Sequence, residues 1–145
     1  ATNHLALLYS SMGKHSQAES LYIKTLDIQR EKIGSQYSST LCNFSDIQTP
    51  RIHQDNNSVY AQYTILSEHR IKIQNYLKEK GIPSVSYYSV PLHLQPVFNE
   101  LGYKAGDFPV SEAVANNCLS LPMSPYLSKD NQLKVLNAIS EIYEK

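Results

Sequence analysis

Apolar residues recur at helical spacing at both ends of this chain and in short extended runs between them. In "NHLALLYSSMG", Leu5, Leu8, Tyr9 and Met12 fall at i, i+3, i+4 and i+7, one face of a helix. Gly13 then stops that helix in the manner of a left-handed C-terminal residue. A second helix starts at Ser16, an effective N-cap, carries Ala18, Leu21, Tyr22, Thr25 (by its methyl), Leu26 and Ile28 on one stripe, and ends at Gly34. The two make an αα-hairpin with small residues where the helices meet. Residues 35–58 show no period, are rich in Ser, Thr, Asn and Gln, contain Pro50, and read as linker or irregular surface.

The grammar then changes to alternating strand and helix. Residues 59–66 predict a buried strand, and 67–81 a helix with Ser67 as cap, Ile73, Tyr76 and Leu77 inward, and Gly81 at its close. Residues 83–90 predict a second strand, and Pro96 suits the first turn of a short helix over 95–101. Pro109 opens a helix of about residues 110–118, with Asp107 as its cap and Glu112 near its positive end. "CLSLPMSP" is extended or looped. A final helix spans 128–145, with Ser128 as cap, Asp130 favourable to the dipole, and Leu133, Leu136, Ile139, Ile142 and Tyr143 on its stripe. The expected fold class is α+β: a helical hairpin over 1–42, a linker over 43–57, and a module over 58–145 in which helices cover a small sheet.

Composition narrows the function classes. The chain has 145 residues, 41% hydrophobic and 18% charged, which suits a globular core. Thirteen basic and thirteen acidic residues give zero net charge, and no Lys/Arg run exists. That argues against nucleic acid or an anionic membrane as partner. No apolar stretch approaches a membrane span. The opening has no basic segment leading into an apolar run, so no signal peptide is expected. The first residue is Ala rather than Met, and the expectation is a reading that begins inside a longer chain. Cys42 and Cys118 form no Cys-x-x-Cys and read as free thiols of a reducing cytoplasm. His4, His15, His53, His69 and His93 never pair at i+2 or i+4, so no zinc site is expected.

The first hairpin resembles one tetratricopeptide repeat of the kinesin-light-chain type, on Leu5, Ala6, Tyr9, Gly13, Ala18, Tyr22 and Leu26. It departs mildly at His15 and Thr25. The resemblance implies a scaffold unit that binds a protein partner. One repeat cannot bury its own face, and stable arrays need about three.

From residue 58 onward the chain resembles the C-terminal part of DegT/StrS-type pyridoxal-phosphate nucleotide-sugar aminotransferases, which have the aspartate-aminotransferase fold. Seven blocks run in the family's order: "SVYAQYTIL", Arg70, "LKEKGIP", "YYSVPLHLQPVF", "LGYKAGDFPVSE", "LSLPMSPYL" and the last helix. The resemblance implies amino transfer from glutamate to a keto-sugar nucleotide through pyridoxal phosphate, in the synthesis of amino sugars for surface polysaccharides. It also implies that Tyr87 or Tyr88, with His93 and Gln95, faces substrate; phenol and imidazole groups can hydrogen-bond sugar hydroxyls or phosphate. The alternative is that the tyrosines pack in the core and His93 pins the Pro91–Pro96 loop.

No catalytic residue is expected within this chain. Family enzymes keep the Schiff-base lysine, the acid partner of the pyridine nitrogen and the phosphate loop upstream of the matched part. Lys72, Lys78 and Lys80 sit on the charged side of a helix, Lys104 in a loop, Lys129, Lys134 and Lys145 on the last helix, and Lys14, Lys24 and Lys32 in the hairpin. A Schiff-base lysine needs a dry pocket that depresses its pKa, and no lysine here has an apolar setting. Five scattered glycines build no phosphate loop. The expectation is a truncated or chimeric family member that binds no cofactor and is inactive alone. Two further readings are a repeat-based interaction module carrying a non-catalytic domain, and a chain that docks on an intact aminotransferase.

Overall fold

The computed structural model describes residues 2–144. Ala1 and Lys145, and with Lys145 the expected end of the last helix, lie outside the described residues. Helix α1 (Thr2–Ser11) turns at Gly13 into α2 (His15–Leu41). Gly13 has φ 74°, the left-handed conformation that stops a helix at little cost only in glycine. The Lys14 N–H then closes back on the Tyr9 carbonyl at 2.9 Å. Helix α2 starts one residue before Ser16, with Lys14 in the capping position and no side-chain cap. Ala6 and Ala18 are buried in this hairpin, whereas Leu5, Leu8 and Met12 of the expected apolar stripe stay exposed.

Gly34 does not end α2. The helix passes through it to Leu41, so residues 35–41 are helical rather than irregular. The reason is tertiary: a Cβ at Gly34 would lie 2.7 Å from ring atoms of Tyr60, and the glycine lets that ring lie on the helix backbone. Tyr60 itself has φ 42°, an uncommon conformation for a bulky residue. It turns the chain just before strand β1 (Tyr63–Leu66), which is shorter than the predicted 59–66.

The second strand is β2 (Cys118–Leu121), not residues 83–90. The two strands pair antiparallel in the register Tyr63↔Leu121, Thr64↔Ser120, Ile65↔Leu119 and Leu66↔Cys118. Residues 83–90 touch the sheet only through a bridge between Val85 and Ser120. Beyond Val85 the chain leaves the sheet edge and carries Tyr87 and Tyr88 outward, both exposed. Gln48 bridges Leu66 at the opposite edge, and Ile47 beside it is buried.

Helix α3 (Arg70–Glu79) follows β1. Ser67 organises its entry without capping it: its hydroxyl accepts the His69 N–H at 3.0 Å and donates to Asp46 Oδ2 at 3.1 Å. Gly81, at φ 71°, closes α3. Two short 3-10 turns, Leu92–Leu94 and Pro96–Leu101, lead to α4 (Pro109–Asn117). Asp107 does not cap α4; its Oδ2 accepts the Lys104 N–H at 2.8 Å and closes a tight loop. Helix α5 (Lys129–Tyr143) does start on its expected cap, Ser128, whose hydroxyl accepts the Asn131 N–H at 3.2 Å.

One core joins these elements. It contains Ile33, Tyr37 and Leu41 of α2, Tyr63 and Ile65 of β1, Ile73 and Leu77 of α3, Leu119 and Leu121 of β2, and Leu136, Ile139 and Ile142 of α5. Helix α2 therefore has one end in the hairpin and the other in the core that holds the sheet. Polar bonds lock the junction: the Tyr37 hydroxyl donates to the Pro122 carbonyl at 3.0 Å, and Gln132 Nε2 donates to the Ile33 carbonyl at 2.8 Å. Ser38 and Tyr63 share a 2.8 Å hydroxyl contact. The Tyr143 hydroxyl donates to Asp46 Oδ2 at 2.8 Å.

Burial pushes the Tyr63 hydroxyl up to about 12, against an opposing pull from its Ser38 bond. Burial also raises Tyr37, with Tyr63 adding to the shift, and raises Tyr143, with Asp46 adding to it. All three fold best as neutral phenols. Above pH 10 the unfolded chain releases these protons more readily than the folded one, so stability present below pH 10 drains away towards pH 12. Urea unfolding followed at stepped pH should show a midpoint that falls above pH 10 in the wild type. Tyr63→Phe should flatten that fall.

The Gly34–Tyr60 contact gives a second test. Gly34→Ala should destabilise by about 1–3 kcal/mol, because the added methyl overpacks against the ring. In a Tyr60→Ala background the same change should stabilise by about 0.5–1 kcal/mol, the ordinary helical preference for alanine. Denaturation of the four proteins of this cycle checks the change of sign.

Candidate functional site

Side chains alternate across a strand, so the sheet that buries Tyr63, Ile65, Leu119 and Leu121 turns Gln62, Thr64, Cys118 and Ser120 to its other face. That face floors a cavity of about 840 Å³. One wall is the segment after the Val85 bridge: Tyr87, Tyr88, Val90, Pro91, Leu92 and Gln95. The opposite wall is the approach to α4 and its first turns: Asp107, Phe108, Pro109, Val110, Ser111, Val114 and Ala115. The surface is mostly apolar with a few polar groups, the usual character of a small-molecule site.

The polar groups are positioned by local bonds. On the floor, Thr64 Oγ1 and Ser120 Oγ lie 2.7 Å apart across the strand pair. The Ser86 hydroxyl and the Cys118 thiol lie 3.2 Å apart. Gln95 Nε2 donates to the Val90 carbonyl at 3.4 Å, a long bond that spans the turn. Tyr87 and Tyr88 extend from irregular backbone, 56% and 74% exposed, and both line the cavity.

Of the residues marked by the sequence, the structure brings Tyr87, Tyr88 and Gln95 together on one wall. His93 is not on that wall. Its side chain is only 7% exposed, and Nε2 lies 3.0 Å from Glu112 Oε1. Its ring packs against Phe108, with centroids 4.8 Å apart, and Phe108 in turn meets Tyr103 edge-on at 5.1 Å. Leu92 and Gln95 reach the cavity from either side of His93, which turns behind the wall.

Glu112 accepts more than one bond. The Gly106 N–H donates to Oε1 at 2.8 Å, and the Phe108 N–H to the same oxygen at 3.4 Å. The Gly106 bond holds the Glu112 carboxyl below the usual range; partial burial opposes this, and the His93 and Phe108 bonds reinforce it.

The sequence reading missed Gln62, Thr64, Ser120, Phe108 and Val110 as cavity residues. Strand alternation would have put Gln62 and Thr64 on one face, but only the pairing with β2 shows that this face is open. The lining residues offer pyridoxal phosphate no Schiff-base partner. A Schiff base needs a lysine amine, and no lysine lines the cavity. Asp107 is the one acid among its lining residues. Among the described residues no group of three or more His, Cys, Asp or Glu could hold a metal ion. No helix among them is long and apolar enough to cross a membrane.

Known proteins share this sequence and fold. A pleiotropic regulatory protein of Geobacillus stearothermophilus is 39% identical over 147 residues, covering 97% of this chain and 40% of that protein. The UDP-2-acetamido-2-deoxy-3-oxo-D-glucuronate aminotransferase of Pseudomonas aeruginosa is 38% identical over 98 residues, covering 68% of this chain and 26% of the enzyme. Among solved structures, S. venezuelae DesV in complex with a ketimine intermediate superposes with a TM-score of 0.80 at 29% identity, over 90% of this chain and 37% of DesV. A DegT/DnrJ/EryC1/StrS aminotransferase from Brucella abortus gives a TM-score of 0.73 at 38% identity, over 82% of this chain and 31% of that one. The chain thus spans between about a quarter and two-fifths of the length of these proteins. Residues 18–140 match the DegT/DnrJ/EryC1/StrS aminotransferase family, from within α2 through the sheet and cavity and into α5, and the chain belongs to that family.

Proposed function

We propose that this chain forms the substrate-side part of a nucleotide-sugar aminotransferase, and that its cavity receives the sugar nucleotide. The observation that carries this reading is the wall where Tyr87, Tyr88 and Gln95 converge opposite the start of α4. Two phenols and an amide offer donors and acceptors to sugar hydroxyls, while Val90, Leu92, Val110 and Val114 supply apolar contact to the rings. Thr64 and Ser120 add hydroxyls at the floor. The parent reaction moves an amine from glutamate to a keto-sugar nucleotide, with pyridoxal phosphate as the electron sink.

The residues of this chain bind and orient; the lysine comes from another segment or another polypeptide. The rim suits such a cover. Tyr88, Leu92 and Val110 are 74%, 67% and 77% exposed, an apolar border that a protein surface can bury. Docking on a lysine-bearing aminotransferase body is the arrangement we favour, and residues 1–145 by themselves are proposed to catalyse no transamination.

Two measurements test this. UDP-N-acetylglucosamine titrated into the chain by calorimetry should bind, and Tyr88→Ala or Gln95→Ala should weaken it by about fivefold to tenfold, one hydrogen bond's worth. Equal affinity in wild type and both variants would place the ligand elsewhere. In an amine-transfer assay with glutamate, pyridoxal phosphate and a keto-sugar nucleotide, the chain alone should give no product. Turnover by it would overturn the proposed division of labour.

A further inference from the structure

Glu112 lies outside the cavity lining, yet one of its oxygens gathers three groups from two segments of the chain. Oε1 receives His93 Nε2 at 3.0 Å from the turn Leu92–Leu94, and the Gly106 N–H at 2.8 Å and Phe108 N–H at 3.4 Å from the loop before α4. These two segments are the opposite walls of the cavity: Pro91, Leu92 and Gln95 on one side, Asp107 and Phe108 on the other. The His93 and Phe108 rings also meet across the two segments, tilted at 55° with centroids 4.8 Å apart. No regular secondary structure pairs the walls directly, since β1 and β2 form the whole sheet and residues 83–90 leave it after Val85.

We propose that Glu112 is a positioning residue, which clasps the 91–95 turn to the 104–108 loop through His93 and so sets the spacing of the cavity walls. Several details agree. The His93 and Glu112 side chains are 7% and 21% exposed, so their bond is shielded from water. A carboxylate only accepts, so Nε2 of His93 must carry the proton that faces it. The loop is further closed by its own bond, Lys104 N–H to Asp107 Oδ2 at 2.8 Å, and therefore moves as a unit when its anchor to Glu112 is cut. The first turn of α4 thus holds a carboxylate whose partners lie outside the helix, a use of Glu112 beyond favouring the helix dipole.

The clasp is independent of the ligand, whereas its effect on binding rests on the function proposed above. The experiment separates the two. Amide hydrogen exchange by NMR on the full chain should show Glu112→Ala raising the rates of Gly106 and Phe108 about tenfold, the equivalent of one lost bond. The same variant should raise exchange at Leu94 and Gln95, whose N–H groups donate to the Pro91 and Leu92 carbonyls across the other wall. Core amides at Ile65 and Leu119 should keep their protection, which separates a loosened clasp from unfolding. Glu112→Gln, which keeps an accepting oxygen, should restore both walls substantially. The imidazole nitrogen spectrum should show His93 protonated at Nε2 in the wild type and in mixed tautomers in Glu112→Ala.

If Glu112→Ala loosens 106–108 and leaves 94–95 unchanged, the walls are not coupled and the proposal is wrong. Should Glu112→Ala fail to fold, His93→Asn cuts the same link from the other side. It is expected to free the 94–95 turn while Gly106 stays protected, and unchanged exchange at 94–95 would overturn the clasp. UDP-N-acetylglucosamine affinity then addresses the cavity. Binding by wild type that weakens in Glu112→Ala and recovers in Glu112→Gln supports the positioning role, and equal binding in all three refutes it. Failure of wild type to bind counts against the function proposed above, while the exchange data still decide the clasp.

Discussion

Two strands of four residues do not hold together in water without cover, and the cover on the apolar face of this sheet is the constraint on which the molecule rests. Tyr63, Ile65 and Leu119 are fully buried, and Leu121 nearly so, beneath the last turns of α2 and the apolar stripe of α5. Tyr37 is central to that contact. Its ring lies 4.9 Å from Tyr63, and its hydroxyl reaches the Pro122 carbonyl just past β2. Without the helices the strands lose their apolar partner, and the cavity floor on the other face loses its geometry.

This arrangement divides labour between the two sides of one thin sheet. Covered by helices, one side is buried and apolar. The other carries Thr64 and Ser120 at the base of a cavity whose walls are loops, a 3-10 turn and the first turns of α4. Loops can aim several side chains at one volume because they need not follow a helical or strand period. They must then be held by specific polar bonds. Here the Glu112 carboxylate, the Asp107–Lys104 closure and the Gln95–Val90 contact provide them. Membership of the DegT/DnrJ/EryC1/StrS aminotransferase family fits this layout, since the match runs through the sheet and both walls.

The long helix α2 connects this frame to the N-terminal hairpin. Its first turns pack through Ala18 against α1, and its last turns enter the core through Ile33, Tyr37 and Leu41. The family match begins at Ala18, inside the segment whose spacing resembles a tetratricopeptide repeat. A helical hairpin is present there as α1 and α2. The outer residues Leu5, Leu8 and Met12 remain exposed, because the small side chains of Ala6 and Ala18 bring the two backbones together instead.

By itself the sequence determined what depends on near neighbours. Apolar period 3.6 marked α5, Ser128 marked its start, and Gly13 and Gly81 marked chain reversals that need positive φ. The family blocks were legible because their order and residue types survive in one dimension. Tertiary structure alone decided three other things. Gly34 looks like a helix stop, but the Tyr60 ring on its open face makes it a contact point within α2. Residues 83–90 have strand composition, but β2 takes the place beside β1 and leaves Val85 a single bridge. His93 stands in a motif that faces substrate by resemblance, but Glu112, nineteen positions away, turns it behind the wall. In each case the deciding partner is distant in sequence, and a local period or propensity carries no information about it.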